Sequence, residues 1–471
     1  MYQKGNSRWD GYIKYISQRG TFKIGLLAKV VESLNALGES VKVIDKRVKF
    51  NGKNVTPVIP SVVGDLTLYP RQKKSLEKLL FNKVCGVPFT VGCGDLAVGF
   101  GKSVLFAAIH EAYQRKLKTL LLLNDSDLFN QFKREIPPML PGEDISFIQG
   151  GPKSNRMGNF NVAMVQSLSR NLKAYSHMLS QIDICLIDEA DIIDNNTYKN
   201  VIEQLYNTQV RIGLSGTIYM SKLKKDLVHN MNVMSFIGPK LDIVTLKDQM
   251  KSGRATPVVV KIVPVPMVSL SSTYQDEYMD NVVYNKKAHQ VSWDRIKYNA
   301  MQGRFPMLIV TKIIDHSKAL YEFLRERNEA MGNPYTIAQV DHTTSNRKEI
   351  LENFRLGKID ILVSTTIISR GKNFPTLKYL QNAAGMNSNE KSIQILGRLV
   401  RKHESKSKAY LDDLAYQGTY LSRHSKHRVR YYKKEKLKVI ELSRVSPLYR
   451  NVNPYDYSQM RNESEGERGK R

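Results

Sequence analysis

Cysteine is scarce in this chain: Cys85, Cys93 and Cys185 are the only three among 471 residues. An odd trio cannot pair completely, and its spacing matches no zinc site, so neither a disulfide framework nor a structural metal is expected. That usage fits a reducing compartment. Long hydrophobic runs are also missing. No stretch reaches the roughly 18 apolar residues needed to cross a bilayer, and Met1 to Asp10 lacks the apolar centre of a signal peptide. A cytoplasmic location is the expectation. Acidic residues are few. The 44 Asp and Glu face 72 Lys and Arg, leaving a formal charge of +28. A surplus of that size steers a protein toward polyanions.

At about 150 residues per domain, this length predicts roughly three domains. Residues 1–65 read as a small α+β unit, with 11 basic residues against 5 acidic ones. Tyr12 to Ser17, Val41 to Ile44 and Val48 to Phe50 read as short strands. Leu26 to Leu37 has helical spacing, and Gly38 follows where a cap is expected. From residue 66 to about 240, helical stretches alternate with short apolar strands such as Thr119–Leu123, Val162–Val165, Ile184–Ile187 and Arg211–Leu214. Helices between buried apolar strands predict a parallel α/β sheet. The pattern returns over 301–420, with Met307–Val310 and Ile359–Val363. The intervening 241–300 reads as a helical connector. A basic extension covers 421–471, its first part carrying eight Lys and Arg against Glu435, and its end, 462–471, reads as disordered.

Gly99-Phe100-Gly101-Lys102-Ser103 precedes a helical pattern and has the ending of a phosphate-binding loop. Glycines let backbone N–H groups wrap phosphates at a helix N-terminus. Lys102 would reach the β- and γ-phosphates of ATP, and Ser103 would hold Mg²⁺. Leu96 stands where the full pattern has its first glycine. Downstream, the apolar strand Ile184–Ile187 ends in Asp188-Glu189-Ala190-Asp191. Asp188 suits the Mg²⁺ shell, and Glu189 suits a group that orients the attacking water. In Gln394-Ile395-Leu396-Gly397-Arg398-Leu399-Val400-Arg401, the two arginines fall at i and i+3 on one helical face. An arginine can stabilise charge on a transferring phosphoryl group. The order of these segments predicts an ATP site closed between two α/β domains.

These residues, in this order, resemble superfamily two helicases. Within them the chain is most similar to the bacteriophage UvsW-type branch-migration helicases, including those of T5-like phages. The resemblance implies two tandem RecA-like parallel-sheet motor domains behind a small α+β N-terminal domain. It places Tyr69-Pro70-Arg71-Gln72 at the adenine-reading segment, so Gln72 would select adenine. Leu96 to Ser103 matches motif I, where this superfamily often lacks the first glycine. Leu121 to Phe132, with Gln131, matches motif Ia, and Asp188 to Asp191 matches motif II. Ser215-Gly216-Thr217 stands at motif III. Ser364-Thr365-Thr366 through Arg370-Gly371 resembles motif V, and Gln394 to Arg401 motif VI. Gly371 and Gln394 would complete the nucleotide site, with Arg398 and Arg401 on the γ-phosphate.

Trp9-Asp10-Gly11, followed by Gly20-Thr21-Phe22-Lys23-Ile24-Gly25-Leu26-Leu27, looks like the small duplex-DNA-binding domain ahead of a UvsW motor, and like the damage-recognition domain of XPB-type helicases. Motif II spells Asp-Glu-Ala-Asp, as in DEAD-box RNA helicases. However, Asn124-Asp125-Ser126-Asp127-Leu128 replaces that family's Pro-Thr-Arg-Glu-Leu, and motif VI opens on Gln394 rather than His-Arg. The expected partner is therefore DNA, forked, branched or four-way, in recombination, repair or replication, inside the host cell if the chain is phage-encoded. A motor subunit of a restriction or repair complex and an RNA helicase are the alternatives. Gln166, Ser167, Thr311 and Thr365 are the expected phosphate contacts, joined by Arg428 and Arg430 in the basic extension, where Tyr431 and Tyr432 offer a stacking surface.

Overall fold

The computed structural model describes residues 13–47, 49–53, 55–151, 156–216, 218, 224–365, 374–387 and 396–442. The chain divides into two units, Met1–Val244 and Thr245–Arg471. No described helix is long and apolar enough to cross a membrane. Trp9, Asp10 and Gly11, Thr217, Thr366 to Arg370, Gly371, Gln394, Ile395 and the segment 462–471 lie outside the described residues.

Unit 1 is built on seven parallel strands. In chain order they are β1 (Val91–Leu96), β2 (Thr119–Leu123), β3 (Ile145–Ile148), β4 (Phe160–Met164), β5 (Ile184–Asp188), β6 (Val210–Ser215) and β7 (Lys240–Val244). Their order across the sheet is β7-β1-β6-β5-β2-β4-β3. Every residue of β1, β2, β4, β5 and β6 is buried. That is why β2, β4, β5 and β6 read as continuous apolar runs: helices cover both faces, so no face is left for polar side chains. One face packs Leu105, Phe106, Ile109, Phe129 and Phe132. The other packs Leu168, Tyr198, Val233 and Phe236.

Unit 2 repeats the plan with β8 (Val258–Val265), β9 (Met307–Thr311), β10 (Ile337–Val340), β11 (Ile361–Thr365), β12 (Tyr379–Asn382), β13 (Ala409–Tyr416) and β14 (Lys438–Glu441). All are parallel, in the order β10-β11-β9-β12-β13-β8-β14.

Several local readings change. The helix near residue 30 forms as Leu27–Ala36, with Gly38 at φ +87° beyond it. The three short strands of the first 65 residues do not. Ile16 makes a single antiparallel bridge to Phe22, residues 41–46 have no ladder, and Lys49–Gly52 is a 3₁₀ turn. Val41 and Val43 instead pack as extended chain against Val31, Val84, Phe89 and Val91. Their alternation marks burial without supplying a partner strand. Gly25 approaches the carbonyls of Met234 and Ser235 so closely that a Cβ would not fit, which docks the N-terminal segment on the helix Lys224–Ile237.

The segment 241–300 contains β8, an eight-residue strand paired on both sides within the second sheet. It is part of the unit 2 core, and the polar residues around it masked that. The basic segment is also integral. Leu421–Lys434 is a helix whose inner face buries Leu421, Ser425, Arg428, Tyr431 and Tyr432, and Lys438–Glu441 is edge strand β14. Tyr431 and Tyr432 are therefore core residues rather than a stacking surface. Arg428 is fully buried and donates through Nε and Nη2 to Asp413, through Nη1 to the Met386 carbonyl and through Nη2 to the Leu414 carbonyl. It cannot serve as a DNA contact because every direction of its guanidinium is already committed inside the unit.

Removing one partner of a buried ion pair strands the other. Arg428→Met should therefore cost about 3–5 kcal/mol of stability, read as a lowered urea midpoint; a midpoint equal to wild type would show that the pair is dispensable. A second measurement concerns pH. His289 and His316 stack at 6.0 Å, both buried. Burial holds His289 down at about 3, and burial plus the neighbouring His289 holds His316 well below its usual range. Folding thus excludes protons that the unfolded chain binds below about 6.5. Their contribution is fully present above that pH. It declines as pH falls below it, by up to about 1.4 kcal/mol per unit for each histidine. Urea titrations at pH 7.5 and 5.5, followed by tryptophan fluorescence, should show the loss in wild type and a smaller loss in His316→Phe.

Candidate functional site

The charged groups of unit 1 gather at the carboxyl ends of β1, β5 and β6. After β1 the chain turns through residues 97–101, with Gly99 at φ +83° and Gly101 at φ +89°. These left-handed positions suit glycine. Gly101 is the N-cap of the helix Lys102–Ala112, so Lys102 and Ser103 lie in its first turn, where unpaired N–H groups and the helix dipole favour an anion.

Lys102 Nζ lies 3.5 Å from Asp188 Oδ1 and 3.7 Å from Glu189 Oε1. Burial pulls the ammonium toward neutrality, but Glu189, Asp188 and Asp191 outweigh it and hold Lys102 above its usual range. Lys102 is therefore charged. Burial pushes the Asp188 carboxyl up, with Lys102 opposing. Glu189 turns the chain at φ +49°, an uncommon conformation for a non-glycine residue, and so leaves the line of β5. Asp191 is buried and accepts a 2.6 Å hydrogen bond from Ser215 at the end of β6; the same hydroxyl lies 3.4 Å from Glu189 Oε2. A chain of contacts thus joins the loop, the carboxylates and the end of β6.

Asp188 Oδ1 is buried, and beyond the Lys102 ammonium at 3.5 Å it meets no hydrogen-bond donor. A carboxylate oxygen so placed, beside the first turn of an anion-favouring helix, suits a divalent cation. Among the described residues no group of three or more His, Cys, Asp or Glu could hold a metal ion by itself. Mg²⁺ fits such a site, because it binds through one or two protein oxygens and completes its shell with substrate phosphates and water.

Gln72 is occupied differently from the sequence expectation. Its Oε1 accepts from the Tyr69 N–H at 3.1 Å and its Nε2 donates to the Phe100 carbonyl at 2.9 Å. The buried amide braces the glycine loop, and both of its ends are engaged there. Behind it, Arg71 and Lys78 grip the buried Asp242 of β7, fixing the helix Pro70–Leu80 to the sheet edge.

In unit 2, Arg398 lies in the short helix 396–399 and Arg401 just after it. Burial, then the adjacent Arg401, pushes the Arg398 guanidinium down to about 9. No sequence motif marks Lys406. It is buried and donates to the carbonyls of Leu399, at 2.9 Å, and Leu377, at 3.1 Å, tying down the end of the arginine helix. Burial and Arg401 lower its ammonium to about 8. Thr256 secures the next residues through the carbonyls of Val400 and Arg401.

The expected phosphate contacts are unevenly placed. Gln166 is half-buried and donates to the Asn124 carbonyl, and Ser167 is buried and accepts from the Gly150 N–H. Thr311 and Thr365 are buried at the ends of β9 and β11. Arg430 is exposed.

Comparison with known proteins follows this geometry. Residues 65–220 match the family model described as type III restriction enzyme, res subunit, and residues 294–403 match the helicase conserved C-terminal domain. The ATP-dependent DNA helicase uvsW of Enterobacteria phage T4 is 23% identical over 86% of this chain and 81% of its own length. A protein named helicase 22 of Sulfolobus islandicus filamentous virus is 22% identical over 72% of this chain and 62% of its own length. In fold, the chain is similar to the ATP-dependent type ISP restriction-modification enzyme LlaBIII bound to DNA, with a TM-score of 0.59 and 15% identity, over 85% of this chain and 33% of that one. The two modules, on two parallel α/β sheets, define the class: this is an ATP-dependent helicase of superfamily two, and so an ATP hydrolase, with tandem RecA-like domains. Within that class it resembles the UvsW type.

Lys102→Ala should abolish ATP turnover. Glu189→Gln should keep nucleotide binding but slow hydrolysis by about 10²–10⁴-fold. Phosphate release and fluorescent-nucleotide titration separate the two effects; hydrolysis at the wild-type rate by Glu189→Gln would remove Glu189 from the chemistry.

Proposed function

We propose that this protein is a DNA helicase or translocase that unwinds or branch-migrates forked and four-way DNA in recombination, repair or replication. The observation that carries the motor chemistry is the Lys102 ammonium held between Asp188 and Glu189 at the foot of a glycine loop. When ATP enters, its phosphates replace the carboxylates as partners of Lys102. Asp188 and Ser103 would hold Mg²⁺, which would supply neutralisation of phosphate charge, and Glu189 would orient the attacking water. The loop from Gly99 to Gly101 wraps the phosphates, and Gln72 exchanges its brace for adenine. Arg398 and Arg401, with Gly371 and Gln394, complete the nucleotide contacts, the arginines offsetting charge on the transferring phosphoryl group.

DNA rather than RNA is supported by similarity along 86% of the chain to a protein named as a DNA helicase and by the departures from the DEAD-box pattern; the +28 charge suits either polyanion. The basic first 65 residues are assigned to duplex binding and the exposed Arg430 to the DNA strand; Gln166, Ser167, Thr311 and Thr365, whose side chains are half-buried or buried, mark β-strand ends where backbone groups would meet phosphates. A second reading, the motor of a restriction complex, draws on the match of residues 65–220 to a restriction subunit model.

ATP turnover and strand separation measured on forked DNA, four-way junctions, blunt duplex and RNA test both readings. Forked or junction DNA should stimulate turnover most and be unwound, with binding that weakens steeply as salt rises. Stimulation by blunt duplex without any strand separation would favour the restriction motor, and stimulation by RNA alone would overturn the DNA assignment.

A further inference from the structure

The carboxyl ends of the unit 2 strands carry an aromatic and basic cluster that the nucleotide chemistry does not use. At its centre is Tyr274, half-buried in the short helix Tyr274–Tyr278. Its ring lies 5.1 Å from His424, 5.9 Å from Tyr278 and 6.1 Å from Tyr420. Lys312, the residue directly after β9, donates to the Tyr274 hydroxyl at 2.9 Å and sits 4.9 Å and 4.8 Å from the ring centres of Tyr274 and Tyr278.

The cluster is held rigidly. Glu277 is buried and accepts from the N–H groups of Thr419, Tyr420 and Leu421, at 2.9, 2.9 and 2.8 Å. This carboxylate caps the helix Leu421–Lys434 and locks it to the helix bearing Tyr274. Gly418, at φ +139°, leaves the space that Glu277 fills. Tyr278 donates to the Ala384 carbonyl, and His424 Nδ1 lies 3.2 Å from the Gly385 carbonyl, so the loop after β12 supports the rings from below. Burial lowers the His424 imidazole from its usual value, which keeps a neutral ring beside Tyr274. While Arg428, Tyr431 and Tyr432 face inward, Arg423, Lys426 and Arg430 on the same helix are exposed. The nearby carboxylates are engaged: Glu277 by backbone amides, Asp413 by Arg428, and Asp276 by Thr273.

Aromatic rings edged by cations at a preformed surface suit a single nucleic-acid strand, because every base has a face to stack and every linkage a phosphate to neutralise. We propose that this cluster is a base-stacking site for one unpaired DNA strand, with Tyr274 and His424 giving the aromatic face and Lys312 taking a phosphate beside it. The proposal rests on the DNA-motor reading and deepens it: the motor grips a separated strand by its bases here, in addition to phosphate contacts near Thr311.

Fluorescence anisotropy with the full chain tests this, using a labelled oligothymidylate and the same oligomer carrying abasic positions. Wild type should bind the abasic strand more weakly. Tyr274→Ala should weaken binding to the intact strand by about 5- to 100-fold, the range expected for one stacked base, and should lose the distinction between the two strands. Tyr274→Phe keeps the ring and should bind nearly as wild type does. Lys312→Gln should reduce the slope of log Kd against log salt by about 0.7, the share of one single-strand phosphate contact. Equal binding of intact and abasic strands by wild type, or unchanged binding by a Tyr274→Ala protein that melts at the wild-type temperature, overturns the stacking site and leaves the DNA motor standing. Failure of wild type to bind any DNA overturns both.

Discussion

A charged lysine held against two carboxylates, at the end of a sheet whose central strands are wholly buried, is the constraint around which unit 1 is organised. Bringing Lys102, Asp188 and Glu189 together costs desolvation, and only their mutual attraction offsets it. The surroundings serve that arrangement. Gly99 and Gly101 bend the chain so that Lys102 opens a helix, Gln72 braces the loop from behind, and Ser215 ties Asp191 to the end of β6. Lys102 can take an anion, and Asp188 a divalent cation, in place of each other. A polyphosphate with Mg²⁺ supplies both. The same electrostatics that make the site costly to form make it selective.

Unit 2 uses buried cations in the opposite sense. Arg398 and Lys406 are both shifted down by burial and by Arg401. Lys406 satisfies its ammonium with backbone carbonyls rather than a carboxylate, and so fixes the arginine helix without neutralising it. Arg428 shows the contrasting solution: it is paired completely with Asp413 and carries structure only. Buried arginines of one unit thus differ by what each one faces: Arg428 a carboxylate, Arg398 the neighbouring Arg401.

The segments that were legible in the sequence are those where a local pattern and a buried position coincide. Four of the five fully buried strands of unit 1 read as apolar runs because both faces of a parallel sheet are covered; Val91–Leu96, with two glycines and Asp95, does not. Where the sequence pattern failed, a distant partner was deciding. Val41 and Val43 alternate like a strand but have no ladder to join. Val258–Val265 sits in a polar stretch yet pairs with β13 and β14, the latter formed by residues far along the chain.

From the sequence alone come the two α/β modules, the phosphate loop, the carboxylate pair and the arginine segment, since each is a short-range pattern with one chemical use. The tertiary structure decides which cations are available to a ligand. Helical spacing could not tell the inward Arg428 from the outward Arg430, because that depends on where Asp413 lies in a strand. It also brings Tyr274, Lys312 and His424 to one strand end, from three stretches of chain with no motif in common. The ATP chemistry was therefore readable from residue order, whereas the surfaces available to a nucleic acid had to wait for the fold, because burial and long-range pairing are not encoded in any local run.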